Sequence, residues 1–102
     1  MLKYSEYAQL DGITAADGIR NKQFTSAELT ACAIERANEV NPRLNAIVHE
    51  CFESAQEQAM RLDYDPELLQ KSPVAGIPFL IKDLAEVKGI ATNFGSALYE
   101  TY

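Results

Sequence analysis

The chain has no run approaching the ~20 consecutive apolar residues that a membrane-spanning helix needs, and its start, Met1-Leu2-Lys3-Tyr4-Ser5-Glu6, lacks the apolar core of a signal peptide. Those absences give cytoplasmic residence and no membrane partner as the expectation. Basic residues are scarce as well: nine Lys and Arg stand against fifteen Asp and Glu, for a net charge of −6. They are scattered without a basic stripe, so nucleic-acid binding has no electrostatic support. Cysteine is limited to Cys32 and Cys51, which lack CxxC or any other metal-ligand spacing. Each reads as a small buried hydrophobe on or beside a helix. There is no internal repeat and no low-complexity segment.

What is present is enough for one core. The 102 residues are 47% hydrophobic and 24% charged, close to soluble globular averages, which excludes disordered, collagen-like and disulfide-scaffold classes. Composition changes near Asp63: helical patterning precedes it, and Pro, Gly and β-branched residues follow. The expectation is a single segment, 1–102, mainly helical over 1–70 and made of strands and loops over 74–102.

Tyr4 to Tyr7 and Thr14 to Arg20 are short candidate helices, the second ending before Asn21, a residue that tolerates the left-handed conformation. Thr25-Ser26-Ala27-Glu28 is a capping box, with Phe24 and Leu29 as its hydrophobic staple. It opens an amphipathic helix that presents Leu29, Cys32, Ala33, Ala37 and Val40 on one face and is expected to stop at Pro42. Ala46-Ile47-Val48 is expected to be extended. A further helix, from about Glu50 to Leu62, turns Cys51, Phe52, Ala55 and Ala59 to one side. Asp65 can cap one more turn, with Pro66 at its first position. Phe79-Leu80-Ile81 follows Pro78 and is apolar on both faces, as in a buried strand, and Val87 to Ala91 can form a second. The fold class expected is α/β: an amino-terminal helical layer followed by the first strands of a mixed sheet that other polypeptide completes.

Lys82 is the leading chemical candidate because it ends that apolar run. Desolvation disfavours an ammonium and makes a buried lysine a usable base, whereas a lysine that snorkels to the surface or pairs with Asp83 has no such role. Other groupings carry less. Ser96 could pair with Lys82, but there is no Ser-x-x-Lys spacing or nucleophile elbow, and the serine reads as a loop residue. His49 and Cys51 lie two apart and do not face each other on a helix. Glu53, Glu57, Asp63, Asp65 and Glu67 lack a glycine-centred loop and read as a solvated helix face and caps. No metal and no cofactor is expected.

The run Ala75-Gly76-Ile77-Pro78-Phe79-Leu80-Ile81-Lys82-Asp83-Leu84, followed by Lys88-Gly89-Ile90-Ala91-Thr92 and Gly95-Ser96, resembles the amino-terminal part of the amidase signature family. Upstream, Phe24-Thr25-Ser26-Ala27-Glu28-Leu29, Glu35-Arg36 and Asn41-Pro42-Arg43-Leu44-Asn45-Ala46 follow the pattern that precedes the lysine strand there. The resemblance covers about residues 24 to 96. It implies a hydrolase of carboxylic amides with a Ser-Ser-Lys triad, in which Lys82 matches the lysine and accepts a proton through a bridging serine held by a cis peptide. A small-molecule amide is then the substrate. The variant around Lys82 resembles general amidases and cyclic-amide or nylon-oligomer hydrolases more than glutamine-specific transamidation subunits. Asn93 departs from the family, where a second threonine is frequent. Asp83 is expected to anchor the strand end through backbone hydrogen bonds.

In that family both serines and the glycine- and serine-rich oxyanion loop lie downstream of the lysine strand, beyond Tyr102. The chain alone is therefore expected to be inactive, because loss of the nucleophile of such a unit costs on the order of a million-fold in rate. The alternative is a non-catalytic truncated fragment or association module that needs a partner chain, with self-association through exposed strand edges.

Overall fold

In the computed structural model the residues described are 2–83, 85, 87–90, 92, 93 and 98. Five helices account for their regular structure: α1 (Tyr4–Tyr7), α2 (Gly12–Arg20), α3 (Ser26–Leu44), α4 (Phe52–Asp63) and α5 (Pro66–Lys71).

The helix starts follow local capping chemistry. Asp11 accepts a hydrogen bond from the Thr14 N–H at 2.8 Å, so α2 begins at Gly12, two residues before the threonine expected to open it. Its exit uses Lys22, at φ 59°, as the left-handed residue, while Asn21 stays at φ −86°. The capping box of α3 forms as expected: Thr25 Oγ1 accepts from Glu28 N at 3.0 Å, and Glu28 Oε1 accepts from Thr25 N at 3.4 Å. Asp65 caps α5 by accepting from Leu68 N, with Pro66 at the first position.

Pro42 does not stop α3. It lies within the last turn, where its missing N–H deprives only the carbonyl of exposed Asn38, and the helix ends at Leu44 with Asn45 left-handed at φ 50°. Beyond it, the Asn41 amide donates to Ile47 O and accepts from Ile47 N, at 2.9 and 2.8 Å. One side chain thus satisfies the backbone of a stretch expected to be extended, and no strand forms there.

The core is small and sits between α2, α3 and the chain start. Leu2, Ala15, Ile19, Leu29 and Cys32 form its buried centre, with Tyr7, Leu10, Phe24, Leu69 and Ile77 packed against it. Phe24 thus lies on the cluster that holds its staple partner Leu29. Gly18 is required for this: a Cβ there would lie 2.3 Å from the Phe24 ring. Tyr4 ties α1 to α3 by donating to Glu39 Oε2 at 2.5 Å while accepting from Arg36 Nη1 at 3.2 Å. Of the two cysteines, Cys32 is buried as expected, but Cys51 is exposed, because α4 starts one residue later and turns only Ala59 fully inward.

The mixed sheet expected over 74–102 is not found among the described residues, and the α/β assignment gives way to a helical one. Phe79, Leu80 and Ile81 are irregular and 85%, 70% and 58% exposed rather than buried. A strand exists only by pairing with another, and Pro78 has no N–H to offer one. The second expected strand, Val87 to Ala91, folds back on itself: Val87 and Ile90 make an isolated bridge across a turn, with Gly89 at φ 83°, and Ala91 lies outside the described residues. Apolar residues that find no partner stay in solvent. No helix among the described residues is long and apolar enough to cross a membrane.

One contact makes this fold pH-dependent. Glu28 accepts from Leu2 N at 2.7 Å as well as from Thr25, and these bonds, the Leu2 bond foremost, hold its carboxyl below the ordinary glutamate range. A lowered native pKa gives stability that is fully present above the unfolded value, about 4.3, and is lost as pH falls through the native one. Unfolding followed by circular dichroism is expected to show stability declining below about pH 4.3. Glu28→Gln should be less stable at neutral pH and should flatten that decline; a variant that keeps the wild-type slope would assign the acid sensitivity elsewhere.

Candidate functional site

Lys82 lies in a segment fixed near both ends. At the amino end, Gly76 adopts φ 87° in the turn that follows Ser72, and its carbonyl accepts the Ser26 hydroxyl at 2.7 Å. At the carboxyl end, Asp83 Oδ1 accepts from Asn93 N at 2.9 Å, the backbone-anchoring role expected of it, although no strand is found there among the described residues. The Lys82 carbonyl accepts from Ala85 N at 3.0 Å.

Between these anchors the segment forms one wall of a groove of about 580 Å³, with the loop after α3 as the other. Asn45, Ile47, His49 and Cys51 come from that loop; Phe79, Leu80, Ile81, Lys82 and Asp83 face them, with Thr92 nearby. Thr92 is 4% exposed. His49 Nε2 is buried without a hydrogen-bond partner among the described residues. Of the two readings of Lys82, buried base or surface-reaching lysine, this chain shows the second: the residue is exposed, like the apolar residues before it. The physical reason is that no sheet covers it among the described residues, since a strand end is dry only when neighbouring strands and helices enclose it.

The other candidates separate. His49 and Cys51 both border the groove, Cys51 exposed to solvent. Ser96, the possible partner of Lys82, lies outside the described residues, as do Leu84, Ala91 and Gly95 of the motif. No group of three His, Cys, Asp or Glu suited to a metal ion occurs among the described residues. Of the acidic residues, Asp65 caps α5 and Glu53, Glu57 and Glu67 are exposed, while Asp63, the last residue of α4, goes beyond that expectation: it accepts from Ser26 N at 2.7 Å and Ala27 N at 3.0 Å, clamping the start of α3. In the sequence Ser26 is only an interior position of the capping box. Nothing in linear spacing links it to residues 37 and 50 positions away.

Residues 28–102 match the Amidase family, three quarters of the chain and the whole of the lysine segment. The chain belongs to the amidase signature family. Among curated relatives, the putative amidase AmiC of Mycobacterium tuberculosis is 33% identical over 93 residues, covering 91% of this chain and 19% of that protein. The acylamidase of Rhodococcus erythropolis is 34% identical over 87 residues, covering 84% of this chain and 18% of the relative. A glutamyl-tRNA(Gln) amidotransferase subunit from Psychrobacter cryohalolentis is 32% identical over 85 residues, 83% and 17% respectively. The chain thus spans about a fifth of the length of these amidase relatives. No solved structure matches it.

Proposed function

We propose that this chain is the amino-terminal portion of an amide hydrolase, and that Lys82 is the amine of its Ser-Ser-Lys triad. The observation that carries the proposal is the lysine motif, Gly76 to Asp83, lying inside the amidase-matched residues 28–102. Serine is a weak nucleophile at its free pKa and needs an adjacent base; an amine enclosed with it can take that proton, relayed by the bridging serine. Both serines and the oxyanion donors come from the remaining polypeptide, which would cover the groove beside Lys82 and the exposed Phe79, Leu80 and Ile81. The substrate class is a carboxylic amide. General and cyclic amides are preferred over glutamine for transamidation, on the sequence around Lys82.

The test joins this chain to the remaining part of the Rhodococcus acylamidase and measures hydrolysis of a simple aryl amide. The joined protein should turn over, the chain alone should not, and Lys82→Ala should abolish turnover. Equal rates with and without Lys82 would remove the assignment. A second reading is favoured by the apolar exposure at Phe79 to Ile81: a non-catalytic module whose apolar segment is covered by a partner chain. A joined protein that folds and is inactive even with Lys82 in place supports that reading.

A further inference from the structure

The start of α3, the end of α4 and the turn before the lysine segment converge on one side chain, Ser26. It is 1% exposed. Its N–H is held by Asp63 Oδ1 at 2.7 Å, the neighbouring Ala27 N–H by Asp63 Oδ2 at 3.0 Å, and its hydroxyl donates to Gly76 O at 2.7 Å. Capping does not need that hydroxyl, because Thr25 fills the cap. The Ser26 hydroxyl is spent on a single contact, with a residue 50 positions away.

Gly76 is closely fitted at that contact. A Cβ there would lie 3.2 Å from Ser26 Cβ, Ser26 Oγ and Ile19 Cδ1, and the φ of 87° is one that only glycine adopts without strain. From this point the chain runs through Pro78, whose ring fixes its φ, to Lys82, a reach of at most about 20 Å for a chain that gains ~3.3 Å per residue. The position of Gly76 therefore bounds where Lys82 can go.

We infer that Ser26 is a positioning residue for Lys82: its hydroxyl, carried on backbone that Asp63 clamps, fixes the register of the segment that presents the amine. This rests on the function proposed above. Loss of the hydroxyl leaves the Gly76 carbonyl without its partner and lets the segment shift, and misplacement of a catalytic group by about 1 Å costs up to about a hundredfold in rate. A residue serving stability alone would not do this.

In the joined amidase, with a short-chain acyl p-nitroanilide as probe, Ser26→Ala is expected to lower kcat by about ten- to a hundredfold while KM stays within about twofold. Ser26→Cys, which keeps a weak donor of similar reach, should restore part of the loss. Thr25→Ala removes a helix cap and should lower the melting temperature without lowering kcat. Ser26→Ala matching Thr25→Ala in kcat, while Lys82→Ala is inactive, overturns this inference and leaves the proposed function standing. Full activity of Lys82→Ala overturns both. A second readout needs no catalysis: in the full chain alone, Ser26→Ala should speed hydrogen exchange at the Ile77 amide, bonded to Val74 O at 3.3 Å, by about tenfold, with mid-α3 amides unchanged. Unaltered exchange at Ile77 overturns the inference.

Discussion

Lys82→Ala is expected to cut the hydrolysis of a simple aryl amide by the completed amidase by about a thousand- to ten-thousandfold, and to leave the melting temperature of the chain alone unchanged. The rate loss follows from the proposed role: without a base, the serine supplied by the rest of the protein would keep its proton and attack slowly. The unchanged stability follows from the surroundings, since Lys82 is exposed and makes no ion pair among the described residues. Lys82→Arg separates base from charge. A guanidinium retains its proton in proteins, so arginine preserves the positive charge and is expected to be as inactive as alanine. An arginine variant with near-normal kcat would show that the site needs a cation rather than a base, and the triad role would fall.

Leu29→Ala is expected to have the largest effect on folding. Leu29 is 2% exposed at the centre of a core otherwise built largely from alanines, Cys32, Ile19 and Leu2. A leucine truncated in such a place costs about 2–5 kcal/mol, through lost burial plus the cavity left behind. A domain of this size has about 5–15 kcal/mol in all, so the loss should consume much of it and bring the urea midpoint sharply down at unchanged slope. The neighbours cannot close the gap: the Thr25–Glu28 box and the Asp63 clamp hold the first turn of α3 in place. A change under about 1 kcal/mol would mean that the helices pack more loosely around Leu29 than its burial indicates.

How far the sequence was legible depends on the range over which each feature is decided. The α3 start was legible because four consecutive residues, Thr25 to Glu28, satisfy one another. The cap at Asp65 and the proline after it are local in the same way. Pro42 misled because a proline in a helix's last turn costs one hydrogen bond on an exposed carbonyl rather than the helix. The strands failed for the opposite reason: Phe79-Leu80-Ile81 has strand composition, but a strand is a property of two segments, and the other candidate turns back on itself between Val87 and Ile90. The contacts of Ser26 with Asp63 and Gly76 span 37 and 50 residues and leave no periodic trace. Lys82 stood out by its resemblance to a motif, whereas its position alone left a buried base and a solvent-reaching lysine both open, and the side chain is exposed in this chain.

Lys82 is exposed in this chain, and the proposed triad role requires the remaining polypeptide to cover it, which is directly measurable. Acetylation of each lysine by a small water-soluble reagent, read by mass spectrometry, should modify Lys82 in the chain alone as fast as exposed Lys3 and Lys88. In the joined amidase, Lys82 should react at least about tenfold more slowly, with Lys3 unchanged, because the covering polypeptide keeps the reagent from the amine, an effect expected to outweigh the larger free-base fraction of a desolvated lysine. Equal reactivity of Lys82 in the two forms, in an enzyme that hydrolyses its amide, would contradict the account.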